Sequence, residues 1–227
     1  MKIYPTIGEV FENPSEIYKA IFFPLLTINL ADLDKGEGKV HFLTVWGNGN
    51  PDLNFKDNLF GFDFIRFDWT GEKYKFNGDL SSIKTFDKLN EWYLEADKEY
   101  NENKADYLNQ KERNDVKNSH LSVQNDRRKK ISFEYYLYVQ GLINYWITRD
   151  KYLETGLFIQ GGAYTNCYSN HERKIYEKLS KTGATSRSNE LIGKVIGFNY
   201  VSGFGEDEIS LYIDRKQQQV FQKFSWT

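Results

Sequence analysis

The segment that decides the fold reads Pro24-Leu25-Leu26-Thr27-Ile28-Asn29-Leu30, followed by a turn with two glycines and then by Lys39-Val40-His41-Phe42-Leu43-Thr44-Val45-Trp46. Both pieces are rich in the β-branched and aromatic residues that favour strands. A glycine-bearing turn between two such runs is typical of a β-hairpin. We therefore predict a strand–turn–strand unit over residues 24–46.

A second hairpin of the same kind is predicted near the end of the chain. Residues 195–199, a glycine-containing turn and residues 209–214 repeat the order of residues 25–29, their turn and residues 40–45. Similar elements with similar spacing indicate an internal duplication. Because each hairpin has one face too apolar to remain in water, both need a shared core. We predict that a ligand lies in the groove between them.

The segments that follow the first hairpin show two periods. Residues 60–69 alternate apolar and polar side chains, as in a half-buried strand, and residues 74–76 begin another strand after a turn. Apolar side chains then recur at spacings of three and four, which predicts an amphipathic helix over 86–100. These side chains are Phe86, Leu89, Tyr93, Ala96 and Tyr100.

The remaining segments allow more than one interpretation. From 101 to 130 apolar residues nearly vanish, so this insertion either extends the helix or is exposed and partly disordered. Residues 131–140 alternate like a strand, and a helix through Trp146 is the competing interpretation. Short helices are predicted near Asn13–Glu16 and over 172–181, the second ending before Gly183.

These elements together predict an α+β, β-rich fold. We expect mostly antiparallel mixed sheets, an internal pseudo-duplication and a helical insertion at about 82–130. A chain of 227 residues can bury a sizeable core. We therefore expect residues 1–227 to form a single compact unit of two related halves.

Charge and composition argue against several classes of function. Thirty basic and 32 acidic residues give a net charge of −2, too balanced to indicate a nucleic-acid or membrane partner. No run approaches the roughly 18 consecutive apolar residues of a membrane span, and the first residues lack the layout of a signal peptide. The single cysteine, Cys167, requires no oxidising compartment, so we expect a cytoplasmic protein.

The histidines and the cysteine match no catalytic or metal-binding motif. His41, His120 and His171 are far apart in the chain, so we predict a structural or surface role for each. Cys167 and His171 are four residues apart, which on a helix would bring the thiol and the imidazole together. The glycines just before Cys167 favour a loop and a plain thiol instead. We predict no catalytic, cofactor-binding or metal-binding residues, and no cofactor.

Three other clusters favour exposed structure over chemistry. The basic cluster Arg127–Lys130 is typical of a solvated loop, with contact to an acidic partner or to nucleic acid as the alternative. The glycine pairs within 47–50 and 203–205 lack the strand, loop and helix that phosphate binding needs, and hairpin turns explain them. Carboxylates that repeat every four residues predict a solvated helix face; they are Asp87, Glu91, Glu95 and Glu99.

Three stretches of the chain resemble the YwqG-like family, also called DUF1963, a group of bacterial proteins of unknown function. The first is Phe23–Leu33, an apolar run that ends in an Asx–Leu turn. The second is Gly156–Gly162, in which Gln160 precedes the glycine pair, whereas in the family it follows. The third is 206–213 with Phe221-Gln222, which is similar to the family's closing strands. The resemblance implies a mostly antiparallel β architecture with internal pseudo-symmetry, and it supplies no catalytic residues.

We predict from these observations a non-catalytic binding protein that recognises another protein. The support is an aromatic content of 17% and a polar insertion, together with the lack of any catalytic motif. An immunity or toxin-neutralising role is a fold-level analogy. The alternative is a small-ligand-binding protein or an enzyme with a pocket between the two halves. A deep pocket with converging ionisable groups would favour the alternative, and a broad aromatic patch would favour the protein partner.

Overall fold

The computed structural model describes residues 1–49, 57–109, 132–156, 158–160, 163–165, 177, 189–201 and 205–226. They form antiparallel sheets of three and five strands, a two-stranded hairpin and two long helices. This confirms the predicted α+β, β-rich fold class.

In chain order the elements are β1 Lys2–Ile3, α1 Ile7–Val10, α2 Tyr18–Ile21, β2 Phe22–Asn29, β3 Lys39–Val45, β4 Phe64–Trp69, β5 Tyr74–Lys75, α3 Leu89–Asn109, α4 Phe133–Thr155, β6 Phe158–Gln160, β7 Ala163–Thr165, β8 Glu190–Val195, β9 Glu208–Asp214 and β10 Gln219–Ser225. Short 3-10 helices lie at Leu30–Leu33, Leu80–Ser82, Phe86–Lys88 and Gly197–Asn199.

The chain divides into two compact units. The first comprises residues 1–86, 169–197 and 206–227, and the second comprises 87–168 and 198–205. The first unit holds the three-stranded sheet, in the order β1-β2-β3, and the five-stranded sheet, in the order β5-β4-β10-β9-β8. The expectation of one compact body for the whole chain remains a prediction.

The two predicted hairpins share an internal layout. In each, the first strand carries a bulge, at Leu25 in β2 and at Ile192 in β8, and both bulge residues are fully buried. A 3-10 helix begins five residues after each bulge, at Leu30 and at Gly197. The two strands are therefore matched through Leu25 and Ile192. The predicted match of Leu25 with Val195 was three residues out of register.

The likeness of the hairpins does not extend to their surroundings. They lie in different sheets, and β2 has β1 as its second neighbour, whereas β8 is the end strand of its sheet. The second strand of the C-terminal hairpin, β9, also pairs with β10. A bulge turns a buried residue toward the core without breaking the strand, so the shared layout suits any strand buried on both faces.

Side chains close the outer edge of β3, where another strand would otherwise pair. The Tyr74 hydroxyl accepts a hydrogen bond from the His41 amide, 2.7 Å away, and donates to the His41 carbonyl, 2.9 Å away. Gln222 does the same for Leu43 with its amide group, at 3.0 and 3.2 Å. Trp69 donates through Nε1 to the Lys39 carbonyl at 2.8 Å. The polar groups of this buried edge are thus satisfied, as buried backbone requires.

Aromatic rings fill the core of the first unit. Phe67 stacks on Tyr74 with ring centroids 4.9 Å apart, and Phe11 packs against Phe22 at the same distance. All four side chains are buried. A substantial part of the aromatic content that suggested a binding surface therefore serves packing.

The second unit contains α3 and α4, which run in the same direction. Trp92 near the start of α3 contacts Tyr138 near the start of α4, and Lys104 farther along α3 pairs with Asp150 at 2.8 Å. The predicted helix over 86–100 is confirmed from Leu89 onward. Its buried face is led by Trp92, whereas the predicted core residues Phe86 and Tyr93 are only half-buried.

The strand predicted over 131–140 is wrong, and the competing helix is correct. Ser132 caps α4 by accepting a hydrogen bond from the Tyr135 amide at 3.1 Å, and Gly156 ends it in the left-handed conformation. Tyrosine occurs in both sets of alternating positions and can be counted as apolar or as polar, so the segment also fitted the two-residue period of a strand. Buried side chains instead recur at helical spacing, at Tyr138, Val139, Leu142, Ile143 and Trp146.

Other predicted features differ in position or lie outside the described residues. The helix predicted to begin near Asn13 begins at Tyr18, because Asn13 adopts a left-handed conformation with φ of 51°. Gly47 and Gly49 have positive φ, in line with the predicted turn. The predictions made for His120, Arg127–Lys130, Cys167, His171 and Gly203 concern residues that lie outside the described part of the chain.

Candidate ligand site beside His41

A cavity of about 310 Å³ opens beside the three-stranded sheet. Its walls come from β1, α1, β2, β3 and the turn between β4 and β5, all within the first unit. The volume lies at the lower end of the range for small-molecule pockets. Most residues of the lining have polar or charged side chains, although apolar atoms supply much of its surface, so the cavity suits a small molecule that has polar groups.

His41 is anchored in this wall by hydrogen bonds from both ring nitrogens. It lies directly across from Thr27 in the β2–β3 pair, and the Thr27 hydroxyl is 2.8 Å from Nδ1. Nε2 lies 2.8 Å from the Glu72 carbonyl oxygen. A carbonyl only accepts, so Nε2 carries the proton and donates, and Nδ1 accepts from Thr27. The imidazole is held in one orientation.

Burial sets the protonation state of this histidine. The side chain is only 1% exposed, and this burial lowers the pKa of His41 to about 4. The Glu72 carbonyl opposes the shift and the nearby Lys39 ammonium adds to it. His41 is therefore neutral at pH 7, with both nitrogens engaged, and it has no free nitrogen to transfer a proton.

Charged side chains form the rim of the cavity. Lys2 pairs with Glu9 and Lys39 pairs with Glu72, each at 2.5 Å, and Lys73 donates to the Gly8 carbonyl at 2.6 Å. The pairs are about half exposed, so each contributes little to stability. Three lysines against two glutamates leave an excess of positive charge at the rim.

Glu9 of the rim is bonded to Lys2 and to Thr6. Lys2 and the backbone amide of Thr6 lower the pKa of Glu9 to about 2. The Thr6 hydroxyl and amide both donate to this carboxylate, at 3.0 and 2.8 Å, in a capping box at the start of α1. The carboxylate is thus ionised across the physiological pH range.

The cavity does not lie between the two predicted hairpins, where a ligand was expected. The described lining of the cavity includes no residue of the second hairpin. Where the two hairpins meet, the buried Glu206 carboxyl accepts a hydrogen bond from the Thr44 hydroxyl of β3. Thr44 and Glu206 are 162 positions apart in the chain, and no sequence motif links them.

The carboxylate repeat on α3 is largely exposed. Asp87, Glu91 and Glu95 are exposed and Glu99 is half-buried. Two of them bind tyrosine hydroxyls: Tyr135 donates to Glu95 at 2.7 Å and Tyr107 donates to Glu99 at 3.1 Å. In the part of the chain that is described, no group of three or more His, Cys, Asp or Glu side chains is placed to hold a metal ion.

One pair of aromatic side chains reaches the surface of the first unit. Phe62 is 43% exposed and Trp226 is 39% exposed, and their ring centroids are 5.9 Å apart in an edge-to-face arrangement. Gly49 approaches the Trp226 ring so closely that an added Cβ would lie 3.3 Å from it. The pair is a small apolar surface of the residue types that dominate protein interfaces.

Comparison with protein-family models, with curated proteins and with solved structures found no match. Among the described helices, none has both the length and the apolar character needed to cross a membrane.

Proposed function

We propose that this chain is a non-catalytic binding protein and that the cavity beside His41 takes a small anionic ligand. The observation that carries the proposal is the cavity itself, with its polar wall and its three rim lysines. Ionisable groups converge on a pocket, which is the arrangement that favours the small-ligand alternative over a protein partner.

Binding rather than catalysis follows from the state of the ionisable groups. His41 is neutral and uses both nitrogens within the fold, and the two rim glutamates are held by lysines. An incoming carboxylate or phosphate can replace Glu72 as the partner of Lys39 without disturbing the buried wall. The class of ligand is therefore set by the rim, and its size by the cavity.

A ligand screen observed by NMR tests this proposal. Small carboxylates, inorganic phosphate and neutral compounds of similar size are added to the isotope-labelled full chain. Anionic compounds should shift the amide signals of Thr27, His41 and Glu72, and Lys39→Gln should weaken the effect at least several-fold. Lys223→Gln, whose lysine lies near Asp63 at 3.6 Å, is the control. Shifts that avoid these residues, or that survive Lys39→Gln, would contradict it.

Recognition of another protein is the second function that we propose, and the Phe62–Trp226 pair supports it. Tryptophan and phenylalanine are enriched at the centres of protein interfaces. A quantitative pull-down from the native cell compares the wild type with Phe62→Ser and with Leu94→Ser, since Leu94 is also exposed but lies in the second unit. A stoichiometric partner lost only with Phe62→Ser would support this function. Equal recovery with both variants would refute a role for the pair.

We also propose that the chain belongs to the YwqG-like family and works in the cytoplasm. The resemblance of residues 23–33, 156–162 and 206–213 to that family supports the first part of this proposal. A near-neutral charge and a single cysteine support a cytoplasmic protein without a nucleic-acid partner. Imaging of the tagged protein in the native cell tests its location.

A further inference from the structure

Glu206 is a buried carboxyl group that has few hydrogen-bond partners in the described part of the chain. It is 2% exposed, and its Oε1 accepts a hydrogen bond from the Thr44 hydroxyl. Among the residues that the structure describes, none is placed to hydrogen-bond to Oε2. An ionised carboxylate in such a place lacks both water and a compensating charge, which is costly, whereas a protonated one leaves a smaller deficit.

The surroundings of Glu206 leave it no room to turn away. Gly197 lies so close that an added Cβ would be 2.5 Å from both the amide nitrogen and Oε2 of Glu206. Thr44, on the other side, is itself buried in β3. The carboxyl group is therefore packed tightly between Gly197, just after β8, and Thr44 of the three-stranded sheet, at the point where the two sheets of the first unit meet.

Charged groups on the elements around Glu206 are engaged elsewhere. Burial raises the pKa of Glu206 to about 7, opposed by the Thr44 hydroxyl and the residue's own backbone amide, and no charged side chain adds to these causes. On β8, β9, β10 and β3, Lys194 pairs with Glu208 at 2.8 Å, Lys223 lies 3.6 Å from Asp63 and Lys39 pairs with Glu72 at 2.5 Å. Asp207 follows Glu206 in the chain, and the titratable His41 on β3 is hydrogen-bonded at the cavity.

We propose that Glu206 is a proton-operated latch between the two sheets: it holds β3 firmly while it carries a proton, and losing the proton loosens the junction. Because the carboxyl is buried and Oε2 has no hydrogen-bond partner among the described residues, loss of the proton leaves an uncompensated charge at the junction. Acid-side conditions close the junction and alkaline conditions open it.

The sign of the effect follows from linkage. In the unfolded chain the carboxyl has an ordinary pKa of 4.5, below the folded value of about 7. The stabilising effect of the proton is therefore complete below pH 4.5 and is lost as the pH rises to 7. The folding equilibrium constant should fall by roughly 300-fold across this window through Glu206 alone.

Glu206→Gln keeps the shape and the contact with Thr44 but removes the charge. Denaturant unfolding of the full chain is measured from pH 4 to pH 8 for the wild type and the variant, with Glu208→Gln as control because its carboxylate is ion-paired at the surface. The folding equilibrium constant of Glu206→Gln, divided by that of the wild type, should rise by roughly two orders of magnitude from pH 4 to pH 8. A constant difference, or an equal rise with Glu208→Gln, would overturn the proposal.

Two local measurements complete the test. Carbon NMR of the Glu206 carboxyl in the wild type should give a folded pKa near 7, and a value near 4.5 would overturn the proposal even if Glu206→Gln does not fold. Amide hydrogen exchange at residues 43–45 is compared between wild type and Glu206→Gln at each pH as protection factors, which correct for the intrinsic rise of exchange with pH. The protection factors should fall above pH 7 only in the wild type. Equal exchange in the two proteins would show that the junction does not open.

Discussion

Replacing Tyr74 with phenylalanine removes one oxygen atom and leaves two buried backbone groups of β3 without a partner. The hydroxyl accepts from the His41 amide and donates to the His41 carbonyl, at 2.7 and 2.9 Å. Burial raises the pKa of Tyr74, so the hydroxyl keeps its proton and can play both roles. The ring stays in its stack on Phe67, so the change isolates the edge closure from packing.

The expected loss follows from the number of groups left unsatisfied. Each unpaired buried amide or carbonyl costs about 1–3 kcal/mol, so Tyr74→Phe should lower the free energy of unfolding by about 2–5 kcal/mol. Urea denaturation followed by tryptophan fluorescence measures this. Tyr212→Phe, on a half-buried ring of β9, is the matched control and should change stability by less than about 0.5 kcal/mol.

A result within the range of the control would refute the reasoning, because it would show that the β3 edge does not depend on this hydroxyl. Hydrogen exchange gives an independent local measurement. The His41 amide should exchange much faster in Tyr74→Phe than in the wild type, and unchanged protection would again contradict the proposed edge closure.

Three further predictions concern named positions. Gln222→Leu should lower stability by about 2–5 kcal/mol because Leu43 loses both of its edge partners; in urea denaturation the half-buried Gln219→Leu should change far less. His41, with a folded pKa of about 4 against 6.5 unfolded, stabilises the fold above pH 6.5, and this contribution of about 3 kcal/mol is lost as the pH falls to 4. Because Glu206 acts in the opposite direction, the contribution of His41 is measured in the Glu206→Gln background, by comparing acid unfolding with and without His41→Gln. If His41→Gln leaves the decrease in stability between pH 6.5 and pH 4 unchanged, His41 is not neutral in the folded protein. Leu89→Ala in α3 should cost about 2–5 kcal/mol, and exposed Leu94→Ala should cost little by the same assay; equal losses would contradict the assigned helix face.

The sequence by itself determined the elements whose pattern is local. The apolar runs around Leu25 and Ile209 predicted the strands that carry them, because strand preference and turn residues act over a few positions. The spacing of Leu89, Ala96 and Tyr100 likewise predicted α3. Local patterns were less decisive at α4, where tyrosines satisfied both a two-residue and a helical period, and only packing against Trp92 and Tyr100 selects the helix.

Only the tertiary structure decided the features that bear on function. Gln222 closes the β3 edge at Leu43 across 179 positions of the chain, and Thr44 meets Glu206 across 162. His41 gained its neutral state from burial against Thr27 and the Glu72 carbonyl, which a scattered histidine in the sequence does not reveal. The physical reason is common to all three. Burial, protonation and hydrogen-bond partnership depend on which distant side chains share a small volume, and periodicity along the chain carries no information about that.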